Sequence, residues 1–120
     1  MKVQGSKNWV IPDARACYLK TARISAESIV ILNMNEDAAN IEMTAYYEDK
    51  EPLTNFTVKC EAKRMLKLST EKIRNFRGKE LARDIPYSLH IESDVPVVVS
   101  YSRISEDIYN MAIMPALSVE

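Results

Sequence analysis

Few side chains in this sequence have the chemistry of a nucleophile, a base or a metal ligand. The only histidine is His90, and the only cysteines are Cys17 and Cys60. His90 lies beside Glu92 on the polar face of a predicted strand, which is typical of a surface histidine. Neither cysteine has an activating sequence context, so we expect reduced thiols, with Cys60 in the core. These residues compose no catalytic pair and no zinc ligand set, so we expect neither an enzyme nor a metal or other cofactor.

Charged residues form two candidate sites. Glu48, Asp49 and Glu51 cluster in one predicted turn, but they lack the ligand spacing of an EF-hand loop, which favours a solvated turn over a cation site. Segment 59–83 carries nine basic and three acidic side chains. Phosphate contacts need such clustering, but the interpretation that we favour is a solvated edge strand and loop, where lysines block edge-to-edge aggregation.

Aromatic residues provide a third kind of site. Tyr46 falls on the polar face of its predicted strand, so its ring should be exposed, and exposed rings stack on sugars or anchor protein interfaces. Trp9, the only tryptophan, and Tyr47 are expected to pack in the core. Tyr87, Tyr101 and Tyr109 also lie on predicted strands.

Length and composition narrow the class of protein. The 120 residues make a single domain, 1–120, and contain only 2 glycines, which excludes P-loop and dinucleotide-binding glycine motifs.

The net charge of -1 is the sum of four blocks of +4, -6, +6 and -5 over residues 1–23, 24–58, 59–83 and 84–120. Alternating charge of this kind suits self-association through complementary patches. The sequence predicts no signal peptide, and the longest apolar run, 111–117, is too short to span a bilayer, so we expect a cytoplasmic protein that does not insert into membranes.

Period-two alternation dominates the chain. Ile41, Met43, Ala45 and Tyr47 alternate with polar residues, as in a strand with one buried face. Asn- and Asp-rich segments at 33–37, 48–52 and 93–96 predict turns, and Ser69 or Thr70 with Gly78 predicts one helical turn over 69–78. The pattern predicts an all-β, antiparallel β-sandwich of about eight short strands. These strands are 9–11, 28–34, 40–48, 56–61, 64–68, 87–92, 95–103 and 110–114.

Several segments, in order from about Trp9 to Ser118, carry a family resemblance. They are Trp9-Val10-Ile11-Pro12-Asp13, Ile24-Ser25-Ala26-Glu27-Ser28, Tyr46-Tyr47-Glu48-Asp49-Lys50-Glu51-Pro52, Ala62-Lys63-Arg64 and Ser93-Asp94-Val95-Pro96-Val97-Val98-Val99 through Arg103. On these segments the sequence resembles the soluble sensory rhodopsin transducer family. The resemblance implies a small β-sandwich that assembles as a homotetramer, without catalysis, with a membrane photoreceptor or another protein as partner.

Three functions are therefore open. The first is a cytosolic signalling or adaptor protein that binds a protein partner or small ligand. The second is a carbohydrate-binding module for a sugar-like ligand, and the third is a DNA-binding regulator that uses segment 59–83. The candidate ligand- or partner-binding residues are Trp9, Glu27, Tyr46, Arg64 and Arg103, although Arg103 is equally suited to a cross-strand ion pair with Glu27 or Asp13.

Overall fold

The computed structural model describes residues 5–15, 27–83, 85–104 and 111–119. Cys17, Tyr109 and the Ile24–Ala26 part of the family motif lie outside the described residues. Every regular element in the described part is a strand, which confirms the predicted all-β class, and this part holds no helix that could cross a membrane. The strands are β1 (Ser6–Arg15), β2 (Glu27–Asn33), β3 (Ala39–Tyr47), β4 (Leu53–Cys60), β5 (Arg64–Ser69), β6 (Pro86–Ile104), β7 (Met111–Pro115) and β8 (Leu117–Ser118).

The strands form two antiparallel layers that share β6. In the first layer the order is β4-β3-β6-β1-β8, and β3 pairs with β6 as far as Ser93. In the second, β2 lies between β5 and the C-terminal half of β6, and β7 pairs with the other side of β6. The buried side chains of both layers form one core cluster, which includes Ile29 and Ile31 from β2 and Met43, Phe56 and Leu89 from the first layer. The alternation that predicted β3 is confirmed, because Ala39, Ile41, Met43 and Ala45 are all buried.

The long strand β6 corrects the prediction of two strands separated by a turn at 93–96. The chain stays extended through Asp94 and Pro96, but its register with β1 shifts there, since Ser6 pairs with Val97 and Asn8 with Glu92. The Asp94 carboxylate accepts two hydrogen bonds from Asn40, one from its backbone N–H and one from its Nδ2, at 2.8 Å each. The residues that predicted a turn therefore mark the point at which β6 passes from one layer to the other.

The predicted helical turn over 69–78 is wrong. Residues 70–72 and 76–78 form isolated turns, closed by bonds from Lys72 N–H to Ser69 O and from Gly78 N–H to Asn75 O. Thr70, one of the two expected helix caps, directs both its backbone N–H and its hydroxyl to Glu27. Its side chain therefore makes a tertiary contact with Glu27 and does not cap a helix.

Polar side chains and one glycine hold the turns and strand ends. Asn33 is fully buried, and its Nδ2 donates to the carbonyls of Asp37, Cys60 and Glu61, while its Oδ1 accepts from Asn35. The predicted Asn-rich turn after β2 is thus built by side-chain bonds to the backbone. Gly5 has φ +95° and lies so close to the Val97 carbonyl that a Cβ would overlap it, so only glycine fits there.

Candidate functional site

Glu27 is the centre of a buried polar cluster. It begins β2, is 1% exposed, and accepts the Arg15 backbone N–H on Oε2 at 2.8 Å and the Tyr87 hydroxyl on Oε1 at 2.7 Å. The Thr70 hydroxyl also donates to Oε1, and the Tyr101 hydroxyl donates to Oε2. A buried carboxylate is stable only when such donors replace its water. The cluster therefore ties β1, β2, β6 and the segment after β5 to one side chain.

The two tyrosines of the cluster are held as donors. Burial raises the pKa of Tyr87 well above its usual value, and the nearby Glu27 carboxylate raises it further. The pKa of Tyr101 is raised for the same two reasons, in the same order. Since both hydroxyls stay protonated and each Glu27 oxygen accepts two bonds from described residues alone, the cluster is suited to holding strands in place.

Arg103 lies at the border of this cluster. It is the register partner of Glu27 across β2 and β6, and its Nη2 is 4.0 Å from Asp13 Oδ2 on β1. This is the cross-strand ion pair that the sequence offered as an alternative to ligand contact. The Arg103 side chain is 25% exposed, which leaves its guanidinium partly accessible from outside.

A groove of about 280 Å³ adjoins the cluster. Tyr46, as predicted, is exposed, at 48%, and it forms one wall. The Tyr47 ring lies 6.2 Å from the Tyr87 ring, and Tyr87 joins the groove to Glu27. The Tyr47 hydroxyl accepts the Ala82 N–H at 3.0 Å, which fixes the ring. The groove is lined by Pro12, Tyr46, Tyr47, Glu48, Pro86, Tyr87 and Ser88.

The other two predicted site residues lie elsewhere. Trp9 packs against the core and donates from Nε1 to the carbonyls of Ser6 and Val97, both at 3.0 Å, so it clamps β1 to the irregular part of β6. Arg64 is exposed, donates to the Lys63 carbonyl, and pairs in register with Asn33. Arg64 is thus about 20 Å along the sheet from the end of β2 that carries Glu27. The structure brings Glu27 and Arg103 together, places Tyr46 in the adjoining groove, and leaves Trp9 and Arg64 outside it.

Sequence reasoning missed Thr70, Tyr87 and Tyr101 as partners of Glu27. Tyr87 and Tyr101 carry the usable signal, because both occupy apolar-face positions of predicted strands, and a buried phenol needs an acceptor. No local signal at Thr70 indicates that contact.

The two other residues with reactive side chains, His90 and Cys60, make contacts within the fold. His90 Nε2 lies 3.1 Å from Asn8 Oδ1 at the half-exposed face of β6. Cys60 is buried, as predicted, and burial raises the pKa of its thiol. Within the described ranges, no three His, Cys, Asp or Glu side chains could together hold a metal ion.

Part of the basic segment is neutralised by acidic side chains within it and next to it. Glu80 binds Arg74 at 3.1 Å and Arg83 at 3.6 Å, and Lys63 binds Glu36 at 2.9 Å. A second depression, of about 490 Å³, lies on β3 and β4 and is lined by Asn40, Ile41, Glu42, Thr57, Val58 and Lys59.

The fold and the site define an antiparallel β protein with a groove beside one buried carboxyl group, that of Glu27, whose two oxygens both accept hydrogen bonds. The family model for the Anabaena sensory rhodopsin transducer matches residues 4–119, and the chain belongs to that family.

Two solved structures support this assignment. The Anabaena sensory rhodopsin transducer is 26% identical with a TM-score of 0.75, and the match covers 87% of this chain and 92% of that one. The crystal structure of Thermotoga maritima 1070 is also 26% identical, with a TM-score of 0.81 and 98% of each chain covered. A comparison with curated proteins finds no match.

Proposed function

We propose that this chain is a non-catalytic signalling adaptor, a single domain of residues 1–120 that acts in the cytoplasm as a homotetramer and binds a protein partner or a small ligand. The observation that carries the proposal is the family match over residues 4–119, together with alignment to 92% of the Anabaena sensory rhodopsin transducer. By analogy with that protein, the partner is a membrane photoreceptor or another sensory protein.

An exposed apolar patch on the second layer supports assembly. Leu32 on β2 and Met65 on β5 are register partners, with 38% and 57% of their surfaces exposed, and Met34 is 45% exposed. Large apolar side chains that adjoin on the outer face of a sheet are typical of a subunit contact. We call Leu32, Met34 and Met65 the Met65 patch, and it forms one interface of the proposed tetramer.

The groove supports partner or ligand binding. Tyr46 presents an exposed ring there, and Arg103 presents a partly accessible guanidinium beside the cluster. In this proposal Tyr46 and Arg103 contact the partner, and Glu27 positions the strands that carry them. Trp9 and Arg64 lie away from this contact. Trp9 supports it indirectly, because it holds β1 against β6.

Light scattering coupled to size exclusion tests the assembly. The wild type should have four times the chain mass of 13.7 kDa, and Met65→Lys should lower the mass because it places a charge in the Met65 patch. Val119→Lys, a change at an exposed apolar residue next to β8, is the matched control and should keep the wild-type mass. A wild-type protein that elutes with the mass of one chain would contradict the proposed tetramer.

A further inference from the structure

A short turn after β5 displays an aromatic ring on the surface. Phe76 is 64% exposed, although it follows Asn75, which is buried. Asn75 Oδ1 accepts the backbone N–H of Arg77 at 3.0 Å and of Lys79 at 2.9 Å, which closes the turn from within. The Phe76 N–H donates to the Asn55 carbonyl on β4 at 3.1 Å and ties the turn to the sheet. The backbone that carries the ring is therefore fixed before any partner binds.

The Phe76 turn, residues 75–79, is convex. The four residues after Asn75 are all exposed, and a Cβ placed on Gly78 would meet nothing within 4 Å. Neither the groove at the end of β3 nor the depression on β3 and β4 is lined by a residue of this turn. A projecting ring can enter a soft, flat boundary, whereas a single nucleic-acid strand is held in a groove with successive stacking rings. The shape of the turn therefore favours a bilayer surface over a nucleic acid.

The surroundings of the ring are positively charged. Residues 70–83 carry five basic and two acidic side chains, and all five basic residues are exposed. Glu80 already binds two of them, Arg74 and Arg83. The other three form no ion pair with a carboxylate among the described residues: Lys72, Arg77 and Lys79. Three positive charges are therefore available to an anionic surface.

One of these charges lies directly beside the ring. The Arg77 guanidinium is 5.1 Å from the centre of the Phe76 ring. At a bilayer surface a phenyl ring enters the boundary between headgroups and acyl chains, and a guanidinium binds phosphate oxygens through two parallel hydrogen bonds. An arginine side chain can also lie along an apolar group and keep its charged end at the polar side. The pair of side chains thus matches the two layers of a lipid interface.

We propose that the Phe76 turn binds the surface of an anionic lipid bilayer, with the Phe76 ring at the level of the headgroups and Lys72, Arg77 and Lys79 at the lipid phosphates. Contact of this kind is peripheral, so the fold stays outside the bilayer. Each basic side chain near an anionic surface strengthens binding about 5-fold, and salt weakens the attraction. The inference goes beyond the proposed adaptor function and does not depend on it.

Co-sedimentation of the full chain with vesicles tests the contact. The chain should bind vesicles of one-third phosphatidylglycerol in phosphatidylcholine, should bind pure phosphatidylcholine about 10-fold more weakly or less, and should dissociate as salt is raised. Phe76→Ser and Arg77→Glu should each weaken binding to the anionic vesicles about 10-fold or more. The first variant loses apolar burial, and the second replaces an attractive charge with a repulsive one.

Two exposed positions away from the turn provide matched controls. Leu117→Ser removes an apolar side chain of similar exposure, 56%, at the opposite edge of the first layer from β4. Arg64→Glu reverses a charge within segment 59–83, at the end of β5 that is remote from the turn. Both variants should bind within about 2-fold of the wild type, because salt confines the attraction to charges close to the lipid. Melting temperatures near that of the wild type show that each variant is folded.

A tryptophan at the tip shows whether the ring enters the bilayer. Phe76→Trp should emit at shorter wavelength when anionic vesicles are added, whereas the wild type, whose Trp9 packs against the core, should not change. Salt-sensitive binding without this shift would overturn the insertion of the ring.

Two further results would overturn the lipid contact as a whole. One is a loss of binding in the two control variants as large as in Phe76→Ser and Arg77→Glu. The other is binding to single-stranded DNA without binding to vesicles, which would assign the turn to nucleic acid. Either result leaves the proposed adaptor function standing, because the vesicles contain no protein partner.

Discussion

At the scale of single residues, Glu27 shows how protein donors can satisfy a buried carboxyl group. From the part of the chain that the structure describes, its two oxygens accept four hydrogen bonds, from one backbone N–H and three hydroxyls. A bond to an ionised group is stronger than one between neutral groups, and losing one donor leaves a buried acceptor unsatisfied. The contribution of Glu27 to the stability of the fold therefore depends on all the donors that bind it.

Replacement of one donor measures this contribution. Tyr101→Phe should lower the free energy of unfolding by about 1–3 kcal/mol, because Glu27 Oε2 loses the buried hydroxyl that donates to it. Tyr46→Phe removes the same atom from an exposed side chain and should change stability by less than about 0.5 kcal/mol. Urea unfolding compares the two, and equal losses would contradict a structural role for the cluster.

At the scale of elements, Asn33 connects the end of β2 to the end of β4. Its Nδ2 donates to Asp37, Cys60 and Glu61 at 2.9, 3.1 and 3.2 Å. One side chain thus closes both the turn before β3 and the turn before β5. Asp37 and Glu61 lie outside the strands and Cys60 ends β4, so the amide binds backbone carbonyls at the point where the regular strands stop.

The value of this link can be measured with a matched pair of substitutions. Asn33→Ala should lower the free energy of unfolding by about 3 kcal/mol, since several buried polar groups lose their partner together. Asn40→Ala removes an exposed amide whose Asp94 partner keeps its bond to the backbone N–H, and should cost less than about 1 kcal/mol. Chemical denaturation provides both values, and a loss at Asn33 no larger than at Asn40 would count against the link.

At the scale of the whole molecule, both layers bury their apolar faces in one core, and the tyrosines of the Glu27 cluster lie in it. The ordinary pKa of tyrosine is 10.0, and in the folded protein the pKa values of Tyr87 and Tyr101 are higher. Above pH 10 the unfolded chain has therefore released protons that the folded chain still binds. The stabilisation is complete below pH 10 and declines as pH rises.

The pH dependence of unfolding is therefore expected to be steep on the alkaline side. Between pH 9 and pH 11 the free energy of unfolding should fall, and each raised tyrosine adds up to about 1.4 kcal/mol per pH unit to the slope. Tyr101→Phe should give a shallower decline, because one such group is absent. If the plots of unfolding free energy against pH are parallel for wild type and Tyr101→Phe, Tyr101 ionises at the same pH in the folded and unfolded chains. That result would contradict the raised pKa of Tyr101.

Alternation and composition predicted the class of fold, the core position of Cys60 and the exposure of Tyr46. They did not predict that β6 is continuous, because Asp94 and Pro96 are local turn signals, and here pairing with strands on both sides keeps the chain extended. The helical turn failed for a similar reason, since Thr70 binds Glu27, 43 residues away in sequence. Glu27 could be selected from sequence, but its partners could not, because they meet only when four segments pack together.

The sharing of β6 by both layers has a consequence for synthesis of the chain. Of the strand pairs described, only β3 with β4 and β2 with β5 consist of segments that precede residue 86. Strand β1, although made first, has no pairing partner until β6 or β8 has followed. Such distant pairings slow folding, and unpaired strand edges are prone to aggregate. The nascent chain therefore carries the β3–β4 hairpin, the β2–β5 pair that encloses it in sequence, and an unpaired β1 until β6 emerges and pairs with β1, β2 and β3.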